Sequence, residues 1–280
     1  MIKLFAFDID GTLLDSSIKM PDNNIKALRK LNDSGIKTIF ASGRVLSSIK
    51  YYQKIIGYDN PIVATNGSMI ALASNNIYKT YYIDDDILKE LFEFCKELKL
   101  EFHFYDEENY YTNRVNLDRI KHLKIDNNYG MNYQVDLIIK EDPVSYLLSQ
   151  GMSANKFQIS GIDKNKLSKE EIVSKVNEKF ADKLYITSSG SNLIELSNKN
   201  SSKWNSISEI CEILGISIEE VAAIGDSYND IPMVKNAKLG FAMGNANETL
   251  KKYADIIVGD NDSSGIVEAC DYVLRLNKNV

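Results

Sequence analysis

The chain has 280 residues, 44% hydrophobic and 26% charged, which is ordinary for a folded globular protein and enough for one large core or two domains. Its net charge of -6 and scattered lysines exclude the basic stripe that displaces counterions from a nucleic acid, so no nucleic-acid partner is expected. Three cysteines, odd in number and far apart (Cys95, Cys211, Cys270), exclude a cysteine-rich zinc site and read as core filler in a reducing compartment.

In chain order, Ile2 to Phe7 is an apolar run that predicts a first buried strand. It ends on Asp8 and Asp10, and Gly11 lets the chain turn sharply before Thr12-Leu13-Leu14. With these carboxylates inside the first ten residues no signal peptide is expected, and no apolar run approaches the ~20 residues that span a bilayer. A cytoplasmic protein without a membrane partner is the expectation. Ile25, Leu28 and Leu31 give a helical stripe stopped at Gly35, and Ile36 to Ala41 reads as a second strand. Ser42-Gly43-Arg44 ends it, a helix follows to about Ile56, and Ile62 to Thr65 makes a short third strand closed by Asn66-Gly67. Met69 to Leu72 and Ile77 to Tyr82 predict a hairpin beyond that turn.

From about residue 83 the rhythm changes. Asp84-Asp85-Asp86 predicts the acidic first turn of a helix with Ile87, Leu88, Leu91, Phe92, Cys95 and Leu98 on its apolar face. Strands are predicted at 101–105, 134–139, 155–159, 184–187 and 193–197, and a helix from Lys169 to Phe180. Tyr105, Tyr110 and Tyr111 fit half-buried strand positions, and His103 and His122 read as structural or surface residues. Val221 to Ile224, Leu239 to Ala242 and Ile256 to Val258 are again short apolar strands between helical segments, so both ends of the chain can share one sheet. The predicted class is α/β: a Rossmann-like doubly wound parallel sheet from residues 1–82 and 191–280, with an inserted α+β domain over 83–190.

Gly225-Asp226-Ser227-Tyr228-Asn229-Asp230 follows one predicted strand as Asp8 follows another. On a doubly wound sheet both acidic turns leave one carboxyl edge, as do Ser42 and Arg44, and Lys203 after the insert would add a cation. Two like charges ~4 Å apart repel by roughly 4 kcal/mol at an effective dielectric of ~20, so Asp8, Asp226 and Asp230 gathered together call for a compensating cation. All-oxygen ligands without His or Cys select Mg2+ over zinc.

Asp8-x-Asp10-Gly-Thr, Ala-Ser42-Gly43-Arg44, Thr65-Asn66-Gly67, Ser202-Lys203, Gly-Asp226-Ser-Tyr-Asn229-Asp230-Ile-Pro-Met and Ala-Met243-Gly-Asn245-Ala246 together resemble, in order and spacing, the Cof-type phosphatases of the haloacid dehalogenase superfamily. The likeness spans nearly the whole chain, with two departures: Trp204 follows Lys203 where the family usually has glycine, and Ser42 stands where threonine is also frequent. It implies that the insert is a cap packed over the active site. It implies that Asp8 is the nucleophile and Asp10 the acid/base, and that the side chains of Asp8 and Asp226 with the carbonyl of Asp10 bind Mg2+, oriented by Asp230. Ser42, Gly43, Lys203 and Asn229 would then bind the phosphoryl group, and Arg44 the substrate. A small phosphate ester follows as substrate, with phosphosugars, flavin mononucleotide and pyridoxal phosphate all open.

Bland alternatives stand beside these roles. Arg44 is nearly as well explained as a helix-start cation, Thr12 as a cap or a backbone contact, and Asn245 and Asp255 are best explained as local caps. A receiver-type phosphoacceptor module also joins an acidic magnesium pocket to a hydroxyl and a lysine. It carries its acceptor after the third strand, lacks a second carboxylate like Asp10 and needs no insert. A sugar phosphomutase of the same fold would instead hold its phosphoenzyme against water.

Overall fold

The computed structural model describes residues 1–114, 124–125, 133–162, 165–189 and 192–278. His122 lies outside them. The chain divides into two compact units, Met1–Lys79 with Ser202–Val280, and Thr80–Ser201.

The first unit opens with β1 (Leu4–Phe7), α1 (Asp22–Asp33), β2 (Lys37–Ala41), α2 (Leu46–Ile56), β3 (Ile62–Ala64), β4 (Met69–Ala73) and β5 (Asn76–Thr80). Every residue of β1 is buried, as a parallel strand covered on both faces must be. On α1, Ile25, Ala27, Leu28 and Leu31 are buried, the stripe that the helical period requires. Asn66-Gly67 joins β3 to β4 as an antiparallel pair, with Ala64 opposite Met69.

The second unit contains α3 (Asp85–Glu97), β6 (Glu101–Tyr105), β7 (Asn109–Thr112), β8 (Lys124–Ile125), β9 (Tyr133–Gln134), β10 (Asp136–Ile139), α4 (Pro143–Ser149), β11 (Lys156–Ser160), α5 (Lys169–Phe180), β12 (Leu184–Thr187) and β13 (Leu193–Asn198). Its six-stranded sheet runs β10-β7-β6-β11-β13-β12, and β8 pairs with β9 apart from it. The strand expected over 134–139 is thus two, either side of Val135. One sheet face carries Phe102, Phe104, Phe157, Ile159 and Leu196 into a core shared with Leu91, Val144, Val176 and Phe180 of the helices. The other holds buried polar groups: Lys156 pairs with Glu195 at 2.6 Å, Gln158 donates to Glu195, and His103 meets Gln158 and stacks on Tyr110. Tyr105 and Tyr110 are buried on this face and Tyr111 on the apolar one, stacked on Phe104, so all three are buried rather than half-buried. Because β13 pairs with both β11 and β12, this unit runs on to Ser201, past the boundary of 190 expected from the sequence.

The chain then returns as α6 (Lys203–Leu214), β14 (Val221–Gly225), α7 (Ile231–Asn236), β15 (Leu239–Ala242), α8 (Glu248–Lys251), β16 (Ile256–Ile257) and α9 (Gly265–Lys278). The first unit's sheet has the order β16-β15-β14-β1-β2-β3-β4-β5, with β1 parallel to β14 on one side and β2 on the other. Phe7 lies opposite both Ile224 and Phe40, so Asp8, Asp226 and Ser42 all leave the same carboxyl edge. All three cysteines are buried and free, and no helix among the described residues is long and apolar enough to cross a membrane.

Candidate active site

Parallel strands deliver their last residues to one edge, and in open α/β sheets ligands bind there, at the point where strand order reverses. β1 is that point, with β2 to β5 running outward on one side of it and β14 to β16 on the other. Asp8, Asp226 and Asp230 each present a carboxylate oxygen within 4.8 Å of the others. Between two of them stands Lys203, the first residue of α6. Its Nζ donates to Asp8 Oδ1 and Asp230 Oδ1, both at 2.5 Å, and the side chain is fully buried. Ser202 caps this helix by accepting from the Asn205 amide, so the tryptophan at 204 falls inside a regular first turn.

The remaining oxygen of Asp230, Oδ2, accepts from the amides of Asp226 and Ser227, each at 3.0 Å. Asp230 thereby fixes both the ammonium and the loop that carries Asp226. Two glycines make the crowding feasible. Gly11 has φ +75°, and a Cβ there would stand 2.7 Å from Asp226 Oδ2, while a Cβ on Gly225 would overlap the Asp230 carboxylate.

Three carboxylates against one ammonium leave two negative charges, and the titration of the groups reflects it. Burial, then the neighbouring Asp230 charge, push the Asp8 carboxyl well above the ordinary range despite Lys203. Burial and Asp230 likewise raise Asp226 to about 7, against the pull of Lys203 and a hydrogen bond from Thr12. Burial disfavours the charge on Lys203, but Asp230 and Asp8 outweigh it and hold the ammonium above its usual pKa. An excess of two negative charges on oxygen donors, at a position kept open by Gly11, fits a hard divalent cation.

Asp10 is placed differently. Its side chain is outside the carboxylate cluster, and both its oxygens accept from Arg44, Oδ2 from Nε at 2.7 Å and Oδ1 from Nη2 at 2.6 Å. Arg44 also donates to Ser48 Oγ at 3.2 Å and lies over the Tyr52 ring. Ser42 is buried, and its hydroxyl accepts from the Arg44 amide. Thr65 and Asn66, both in the left-handed region at φ +48° and +58°, bond through their amides to Arg44 O and Ser42 O. Asn229 is buried and donates to Asn66 Oδ1 at 3.0 Å, while its own Oδ1 and the Thr65 hydroxyl have no partner.

Other residues enter where the sequence suggested something else or nothing. The Thr12 hydroxyl donates to Asp226 Oδ1 at 3.2 Å, a contact that the sequence did not suggest. Asn245 is not a local cap, since its amide group donates to Gly11 O at 2.8 Å and accepts from the Asn261 amide, bracing the turn behind Asp10. Asp255 is not one either, because it brackets Gly240 across the loop, accepting from its amide and donating to its carbonyl. Asn247 holds Asp226 O from its amide and its side chain. The signal for both asparagines was their place after β15, on the edge already marked by Asp226.

The sequence profile of the haloacid dehalogenase-like hydrolases matches residues 5–270. The chain is similar to the phosphatase YwpJ of Bacillus subtilis (strain 168), 28% identical over 292 residues that cover 98% of this chain and 100% of that protein. It is similar to the 5-amino-6-(5-phospho-D-ribitylamino)uracil phosphatase YcsE of the same organism, at 26% identity over 96% of this chain and 94% of the other. In fold it matches a solved haloacid dehalogenase-like hydrolase from B. subtilis with TM-score 0.84 at 23% identity, covering 97% and 100% of the two chains.

Proposed function

This chain belongs to the haloacid dehalogenase-like hydrolases, as a phosphatase of the Cof type, and from that premise we propose that it hydrolyses small phosphorylated metabolites through a phosphoenzyme formed on Asp8, with Mg2+ as cofactor. One observation carries the proposal: three carboxylates, two of them buried, and one ammonium converge at the carboxyl end of β1 with two negative charges uncompensated. Family membership leaves no place for a receiver-type module. The ribityl phosphate in the name of one relative supports sugar and polyol phosphates as substrates, with flavin mononucleotide and pyridoxal phosphate in the same range.

The side chains of Asp8 and Asp226 and the carbonyl of Asp10 would hold the metal, with Asp230 keeping the Asp226 loop in place. Bound there, Mg2+ would neutralise the excess charge on the carboxylates and on the phosphoryl oxygens. Asp8 Oδ attacks phosphorus while the ester P–O bond breaks, and Asp10 gives its proton to the departing oxygen. Asp10 then takes a proton from water, which attacks the same phosphorus and returns Asp8 as carboxylate. Lys203, held by Asp8 and Asp230, offers its positive charge to the phosphoryl oxygens, with the Ser42 hydroxyl, the Gly43 amide and Asn229 as further contacts. The insert from Thr80 to Ser201 acts as the cap that selects the leaving group.

The test is phosphate release across a panel of sugar, polyol, flavin and pyridoxal phosphates with Mg2+ present, joined to acid-quench trapping of labelled phosphoenzyme. Asp8→Asn should lose both turnover and label and keep its fold, because Asp230 still pairs with Lys203. Undiminished hydrolysis by Asp8→Asn, or by enzyme freed of all metal, would overturn the mechanism.

A further inference from the structure

The sequence offers Arg44 as a substrate contact or as a helix-start cation, and its surroundings point to a third role. Two parallel bonds of 2.6 and 2.7 Å engage both oxygens of Asp10, so the carboxylate plane and its rotation are fixed together. A single bond would leave it free to turn. The guanidinium is itself anchored from behind by Ser48 Oγ and the Tyr52 ring, and its backbone amide and carbonyl are tied to Ser42 Oγ and Thr65 N. The exposures are unequal in a telling way: the Arg44 side chain is 13% exposed and that of Asp10 57%. A solvated ion pair has both partners in water and contributes little. Here a held, nearly buried cation presents a carboxylate outward.

We infer that Arg44 is a positioning residue for Asp10, aiming its carboxylate at the leaving oxygen. The inference rests on reading Asp10 as the group that protonates that oxygen. A misaimed acid costs most where the leaving group most needs a proton, and general acid catalysis contributes about 10²- to 10⁴-fold. The specificity constant kcat/KM includes only steps up to departure of the leaving group, so it isolates this effect.

The experiment compares 4-nitrophenyl phosphate, whose leaving group needs little protonation, with glycerol 1-phosphate, an alkyl ester that needs a full proton. It uses Arg44→Met, Arg44→Lys, Asp10→Asn and the double variant Arg44→Met/Asp10→Asn. Arg44→Met should lose roughly 10- to 100-fold in kcat/KM on the alkyl ester and less than about 3-fold on the aryl ester, with KM little changed. Arg44→Lys, which keeps the charge but not the fork, should recover only a small part. The double variant should be no slower than Asp10→Asn on the alkyl ester. A rise in KM shared equally by both esters, or losses that add in the double variant, would overturn the inference in favour of a substrate contact. If Asp10→Asn is selective for the alkyl ester and Arg44→Met is not, the inference falls and the acid assignment stands. Equal loss on both esters in Asp10→Asn would overturn the acid assignment and this inference with it.

Discussion

Lys203 is the residue on which the electrostatics of the site turn, since its one ammonium serves two buried carboxylates. Removing one partner of a buried ion pair leaves the others charged and unpaired, at a cost of about 3–5 kcal/mol. Lys203→Met should therefore lower metal-free stability by that order, measured by urea unfolding, as well as abolish turnover. Asp226 gives a second consequence through pH. Unfolded, it loses its proton near the ordinary carboxylate value of 3.8, whereas folded it keeps it to about 7, so between these values the native state binds more protons and stability falls as pH rises. Metal-free protein should melt at a higher temperature at pH 5 than at pH 8, and added Mg2+ should raise the melting temperature more at pH 8, where Asp226 is ionised. Equal Mg2+ shifts at both values would contradict this. Asp8 and Asp226 were legible because each ends an apolar run, a local signal. The fork between Arg44 and Asp10 and the bond from Asn245 to Gly11 were not, because they depend on side-chain directions across loops far apart in sequence.

At the scale of elements, the turn after β1 is where backbone shape and metal chemistry meet. A residue with a Cβ costs roughly 1–2 kcal/mol in the left-handed region. At Gly11 that Cβ would also press on Asp226 Oδ2, 2.7 Å away. Gly11→Ala should weaken Mg2+ binding, read by calorimetric titration, beyond what its fall in melting temperature explains. Elements with their own stop signals were read well: α5 matches the predicted Lys169–Phe180, and its capping box of Ser168 and Glu171 shows why. β13 is the contrary case. Its run Leu193-Ile-Glu-Leu-Ser was recognisable as a strand, but nothing local says which sheet it joins. The choice is made by β11 and β12, and the insert's end moves to Ser201 with it.

For the molecule as a whole, every motif at the carboxyl edge belongs to the first unit, while the second has a sheet and core of its own. Substitutions within the second unit that leave it folded should reorder kcat/KM among metabolites. Substitutions in the motifs should depress all substrates together. Uniform loss from such changes would refute the division. The arrangement also bears on how the protein is made. β1 precedes β2 and β14 in the sequence, yet it sits between them, with Leu4 opposite both Lys37 and Val221. The insert is one continuous stretch and can close during synthesis, as domains do, while the sheet that bears Asp8 still lacks its neighbour. A ribosome halted before Val221 would hold a chain whose first carboxylate, Asp8, still waited for a strand not yet written.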